Sequence, residues 1–153
     1  MSDPTLRLDR DQLRRGRPAN PPPLKHRLDA DEVHATLPSQ LVFQIVGTET
    51  VLSVPVRSTL ILGRKHPSYE LNPDLDLAPF HGYHLGVSRH HSMIRVQENQ
   101  LVVRDLGTAN GTYINGYQLL PSQEYPLKHG DELALGALRL QVAFVTEDSY
   151  ASA

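Results

Sequence analysis

Residues 101–116 read Leu-Val-Val-Arg-Asp-Leu-Gly-Thr-Ala-Asn-Gly-Thr-Tyr-Ile-Asn-Gly. Leu101–Arg104 is a β-prone run. Asp105–Thr112 then turns through two glycines, and Tyr113-Ile114 is a second short run. Asn115-Gly116 is a hairpin dipeptide, because both residues tolerate positive φ. A strand, a polar loop, a strand and a tight turn leave no room here for a helix.

The same grammar extends in both directions from Leu41. Leu41–Val46 is β-rich and ends at Gly47. In Val51–Val56 a period of two puts Leu52, Val54 and Val56 on one face, and Pro55 demotes the run towards a sheet edge. Further strands are predicted at Leu60–Leu62, Leu75–Leu77, Ser92–Val96, Glu132–Leu135 and Leu138–Phe144. Glu98-Asn99 and Gly136-Ala137 are read as turns. No helical periodicity is sustained across the region, and many short strands at close spacing predict an all-β sandwich or barrel.

Residues 1–38 differ from the rest. They hold six of the twelve prolines and seven of the fifteen Lys and Arg, and no Phe, Tyr or Trp precedes Phe43. So little apolar surface cannot offset an ordering cost of roughly 1–2 kcal/mol per residue. The expectation is a disordered, flexible Pro/Arg-rich tail over 1–38, a domain over 39–147 and a short C-terminal tail over 148–153. One marginal helical turn is predicted at Asp29–Ala35. The basic run Arg14-Arg15-Gly16-Arg17 invites a nucleic-acid or lipid reading. Asp3, Asp9 and Asp11 lie nearby, and a solvated tail is the plainer reading.

Composition narrows the function classes. With 153 residues, a net charge of -2 and 21% charged residues, the chain lacks the basic excess of a general nucleic-acid or membrane binder. It has no cysteine, which excludes disulfides, iron–sulfur clusters and thiolate zinc sites and fits a cytoplasmic setting. Neither a signal-peptide h-region nor an apolar stretch of membrane-spanning length is visible.

Three loop segments concentrate anion-binding groups. Gly63-Arg64 follows a strand; the guanidinium fork matches phosphate geometry, and glycine lets the backbone bend close. Ser88-Arg89-His90-His91 precedes another strand. Asp105–Thr112 adds hydroxyl and amide groups. In this order the segments resemble the forkhead-associated domain, a phosphothreonine-binding β-sandwich of about eleven strands. The resemblance runs from about Leu41 to Val145, continuing through Asn115-Gly116, Leu127, Gly130-Asp131 and Leu135-Gly136.

That resemblance implies that Arg64 and Ser88 bind phosphate, and that Arg89 contacts phosphate or peptide backbone. It implies a hydroxyl from Thr108 near the phosphothreonine and an Asn110 that holds the peptide main chain. Gly63, His91, Gly111, Thr112 and Asn115 would shape the loops. The expected partner is a phosphothreonine-containing protein, a Ser/Thr kinase or its substrate. Thr5 and Thr36 lie in the tail, where either, once phosphorylated, would dock into its own domain or a neighbour's.

Other readings weigh less. His81 and His84 could present two imidazoles to a metal, but a polar loop beside a phosphate site accounts for them. Asp74 and Asp76 alternate with Leu75 and Leu77 and read as structural. Ser88 with His91 lacks the glycine-flanked elbow of a nucleophile. Asp105 and Asp131 sit in turns, where carboxylates bond backbone amides. The expectation is a binding module, not an enzyme, with no cofactor and no metal. A phosphate-independent assembly scaffold is the alternative.

Overall fold

A computed structural model describes residues 5–9, 12–13 and 37–146. The helical turn expected at Asp29–Ala35, the basic run Arg14–Arg17, Thr36 and the C-terminal tail lie outside the described residues. The described chain is nearly all β, in two sheets.

In the first sheet, β1 (Gln40–Ile45) pairs antiparallel with β2 (Val51–Pro55) on one side and β11 (Leu138–Val145) on the other. β11 pairs with β10 (Glu132–Leu135), β10 with β7 (Thr112–Ile114), and β7 with β8 (Tyr117–Gln118). Pro55 therefore sits on an edge strand, where a missing N–H costs no ladder bond. The second sheet runs β4 (Leu75–Asp76), β3 (Thr59–Gly63), β5 (His90–Gln97), β6 (Gln100–Asp105) and β9 (Tyr125–Pro126). Only the short β3–β4 pair is parallel among these ladders.

Alternation along the strands decides which face is buried. Leu41, Phe43 and Ile45 of β1 point inward, as do Leu138, Leu140 and Val142 of β11 and Leu133 and Leu135 of β10. They meet Leu60 and Leu62 of β3, Ile94 of β5 and Leu101 and Val103 of β6 in a single apolar cluster drawn from both sheets. Truncating such a side chain to alanine typically costs about 2–5 kcal/mol.

The short strands β8 and β9 escape the sequence reading, since two residues carry no periodicity. Gln100–Asp105 extends one residue past the expected Leu101–Arg104 at each end, and Asp105 itself is buried. At the end of β3 the ladder with β5 shifts register between Leu62 and Gly63. The unmatched residue lies on β5, at His91.

Candidate functional site

The loops after β3, before β5 and between β6 and β7 meet at one end of the sandwich. Gly63 makes that approach possible: a Cβ there would lie 1.8 Å from the Arg89 carbonyl oxygen. Arg64 N–H donates to the same carbonyl at 2.9 Å. The Arg64 side chain is buried, donates from Nε to the Val87 carbonyl at 2.6 Å, and its guanidinium lies 5.2 Å from the centre of the Tyr83 ring. A buried cation is thereby held beside the residue that precedes Ser88.

Ser88 is positioned by His91. The Ser88 N–H donates to His91 Nδ1 at 2.9 Å, and His91 Nε2 faces the Gly111 carbonyl at 2.8 Å. This assigns the tautomer: Nδ1 accepts and Nε2 carries the hydrogen. Burial of the ring lowers its pKa from 6.5 to about 4, against smaller opposing effects of the Gly111 bond and the Asp105 charge, so the imidazole is neutral near pH 7. His91 thus ties the Ser88 loop to the β6–β7 loop.

The β6–β7 loop is folded around one carboxylate. Asp105 Oδ2 accepts from the Gly107 and Thr108 N–H groups, both at 3.0 Å, and Oδ1 accepts from the Thr108 and Thr112 hydroxyls, both at 2.7 Å. The Thr108 hydroxyl also accepts from the Gly111 N–H at 3.0 Å. The same oxygen lies 3.4 Å from His91 Nε2, so this hydroxyl is tied into the loop on every side. Thr112 contacts Ser92 across the two sheets at 2.8 Å. Asn115 accepts from the Glu132 N–H and donates to Asp131, and so fixes the next turn. Asp131 also accepts from the Lys128 N–H, as its turn context suggested.

Asn110 is 1% exposed and reaches in two directions. Nδ2 donates to the Gly86 carbonyl at 3.0 Å, which anchors the side chain to the loop before β5. The same amide clamps an extended segment of the chain's own N-terminal region: Nδ2 donates to the Leu6 carbonyl, and Oδ1 accepts from the Leu8 N–H at 2.9 Å. Alternate backbone positions of an extended peptide face the same side, so one planar amide satisfies both. The Thr5 hydroxyl lies 3.3 Å from Ser88 Oγ.

Arg89 stands apart from this cluster in one respect. Its guanidinium stacks 5.0 Å from the centre of the Tyr69 ring, and Tyr69 in turn packs edge-on against His90. The loop before β5 is otherwise tied to its neighbours by backbone bonds, among them Leu77 N–H to Gly63 O at 2.8 Å and Ala137 N–H to Leu85 O at 2.8 Å. Asp76 accepts from the Lys65 and Ala78 N–H groups, and Asp74 from Ile61, so both carboxylates hold backbone.

Arg64, Ser88, Thr108 and Asn110 are thus gathered at one end, with Gly63, His91, Gly111 and Thr112 in the loop framework, whereas Asn115 lies past β7 and holds the turn at Asp131 and Glu132. Two contributors were not foreseen. Gly86, at φ +83°, lets Asn110 and Leu8 approach: a Cβ there would lie 2.6 Å from Asn110 Nδ2 and 3.0 Å from Leu8 Cδ1. The segment Thr5–Leu8 lies in the groove rather than apart from the domain, and only the notion of a docking tail anticipated that.

Comparison with known proteins agrees with this architecture. A family model described as the FHA domain matches residues 60–136. The chain is 30% identical over 115 residues to protein FraH of Nostoc, an alignment covering 75% of this chain and 37% of that protein. The chain thus spans little more than a third of that relative's length. Among solved structures, the FHA domain of an Arabidopsis thaliana protein is 29% identical with a TM-score of 0.57, covering 72% of this chain and 88% of that one. A domain solved in work on phosphothreonine-dependent FHA domain interactions is 25% identical, with a TM-score of 0.52, over 69% of this chain and 96% of its own.

Proposed function

This chain belongs to the FHA, or forkhead-associated, domain family, and we propose that its loops bind phosphorylated threonine within an extended peptide. The observation that carries this is the Asn110 clamp on the Leu6 carbonyl and Leu8 N–H, with a threonine hydroxyl 3.3 Å from Ser88 Oγ. A phosphate added to a threonine so placed would start beside the Ser88 hydroxyl. In this reading Arg64 and Ser88 hold phosphate, and Asn110 reads peptide backbone. Arg89, stacked on Tyr69, contributes positive charge at the rim.

The magnitudes suffice. Phosphothreonine brings about -1.5 to -2 charges and three acceptor oxygens. Four charge-assisted hydrogen bonds contribute on the order of 6–12 kcal/mol, against association and ordering costs of at least ~4 kcal/mol. The upper part of the difference corresponds to a Kd near ~1 µM.

The partner in this proposal is a phosphothreonine-containing protein of Ser/Thr-kinase signalling, a kinase or its substrate, in the cytoplasm. The chain acts by binding and not by catalysis. A degenerate phosphothreonine peptide pool on beads tests the proposal. Retention of the chain by the phosphorylated pool, and not by its unphosphorylated counterpart, is the expected result. Equal retention by both pools would instead favour a phosphate-independent assembly scaffold.

A further inference from the structure

We infer that the outer face of the second sheet is a further docking site, a cleft over β5, β6 and β9 that takes an extended, unphosphorylated segment of a partner protein by an acidic side chain. It stands apart from the phosphothreonine reading above and does not rest on it.

The pleat decides which side chains reach this face. Ile94, Leu101 and Val103 point into the core, so Met93, Arg95 and Gln97 of β5 and Gln100, Val102 and Arg104 of β6 point outward. Register sets them in three rows, with Met93 beside Arg104, Arg95 beside Val102 and Gln97 beside Gln100. The outer face of an antiparallel sheet ordinarily lies open to water. Here it holds a cleft of about 680 Å³, flanked by Ser122, Gln123 and Glu124 of the loop between β8 and β9. That loop is pinned in place. The Ser122 N–H donates to the Asp105 carbonyl at 3.3 Å, and the Leu120 N–H to the Tyr125 hydroxyl at 3.1 Å.

The charges in the cleft are sorted. Arg95 holds both carboxylate oxygens of Glu124, from Nε and, at 2.7 Å, from Nη2. This pair spans β6, and Val102 is left 7% exposed although its position is an outward one. Those two charges cancel. Arg104, half-buried in the next row, has no hydrogen bond or ion pair among the described residues. A guanidinium partly withdrawn from water favours a counter-charge, and its planar fork matches a carboxylate. The far end of the cleft carries Glu98 and has the opposite sign.

The lining favours a peptide over a small apolar ligand. Small-molecule pockets are lined predominantly by apolar groups. Here a floor of Met93, Val102 and Pro126 is bordered by Gln97, Gln100 and Gln123. A planar amide can satisfy a peptide C=O and N–H together, as Asn110 does with Leu6 and Leu8. Arg and Met are also over-represented where proteins meet. The four-residue step along β6 from Gln100 to Arg104 covers about 13 Å, so a short extended segment fills the cleft. That segment sets a Glu or Asp on Arg104 and runs its backbone along the glutamines. Opposite Glu98 it carries a Lys or Arg.

The test selects peptides from a random, unphosphorylated phage-displayed library on the full chain, and titrates the enriched sequences as synthetic peptides. They should carry Glu or Asp with a Lys or Arg a few positions away, and Arg104→Glu should weaken them at least about tenfold. The same selection on Arg104→Glu should enrich Lys or Arg where wild type enriches the acid. Ser88→Ala, in the loops of the other site, should bind them within about twofold of wild type. Amide NMR on the wild-type chain needs no variant to fold: the peptides should shift Met93–Gln97 and Gln100–Arg104 and leave Ser88 and Gly111 in place. Failure to enrich acidic peptides, or shifts confined to the Ser88 and Gly111 loops, overturns the proposal. Shifts of the same strands with protein concentration alone make a second copy the occupant, and stronger shifts from a peptide of residues 14–36 make it the chain's own segment; either result overturns it too. Every probe lacks phosphate, so none of these outcomes decides the phosphothreonine reading.

Discussion

The fully buried imidazole of His91 accepts the Ser88 N–H at 2.9 Å, so the Ser88 loop depends on a histidine that must stay neutral. Protonation would set a donor against a donor. The folded pKa is about 4, against 6.5 for the free side chain, because burial disfavours the cation. Between these values the unfolded chain binds a proton that the folded chain refuses. Stability from this group is therefore complete above about pH 6.5 and is lost as pH falls towards 4, by up to ~1.4 kcal/mol per pH unit. Urea unfolding of the peptide-free chain at pH 7, 6, 5 and 4.5 measures the slope. His91→Gln should be less stable at pH 7 and show a shallower fall. Parallel curves for the two proteins would refute the role given to the ring.

Asp105 should matter to folding more than to ligand contact. Its carboxylate satisfies two N–H groups and two hydroxyls and is 2% exposed. Asp105→Asn replaces one acceptor with a donor facing donors, and should cost about 3 kcal/mol. Chemical denaturation reads this directly, and a loss below ~1 kcal/mol would mean the loop holds itself by other contacts.

Two glycines should fail in different ways. Gly63→Ala puts a methyl 1.8 Å from the Arg89 carbonyl oxygen, a backbone atom that cannot swing aside, so the β3–β5 junction must open. The chain should lose about 3 kcal/mol or more. Gly86→Ala instead presses on the Asn110 side chain and on Leu8, at φ +83°. It should cost about 1–2 kcal/mol of stability while weakening phosphopeptide binding more than tenfold. Thermal melts and peptide titrations on both variants separate these effects.

Much of this arrangement is legible in the amino-acid sequence. Period-two runs such as Leu52, Val54 and Val56, broken by Asn115-Gly116 and Gly47, predict a sandwich because side-chain alternation and turn chemistry are local properties. Pro55 marks an edge strand for the same reason. The loops were legible only as a set, through resemblance, since Arg64, Ser88 and Asn110 lie far apart in the chain and meet by tertiary folding. The stacking of Arg89 on Tyr69 and the support of Leu85 by Ala137 depend on loop paths that no spacing rule encodes. Composition predicts a tail without a core of its own. It could not show that Thr5–Leu8 borrows the domain's groove.

Salt and substitution should divide the roles within the site. Asn110→Ala removes two bonds to peptide backbone and should weaken binding by about 2–3 kcal/mol with the salt dependence kept. Ser88→Ala and Arg64→Lys should weaken the phosphate contacts of the proposed site, and Arg64→Lys in particular loses the planar fork that holds Val87. Titrations at 50 and 300 mM salt check this. Identical profiles for Asn110→Ala and Arg64→Lys would contradict separate phosphate and backbone readers.

The most direct measurement is a calorimetric titration of one pool-selected peptide in three forms, with phosphothreonine, phosphoserine or unmodified threonine at the same position. The account predicts a Kd of about 1–10 µM for the phosphothreonine form, no measurable binding of the unmodified form, and loss of the phosphorylated complex in Ser88→Ala. Binding of the unmodified peptide as tight as that of its phosphothreonine form would contradict it.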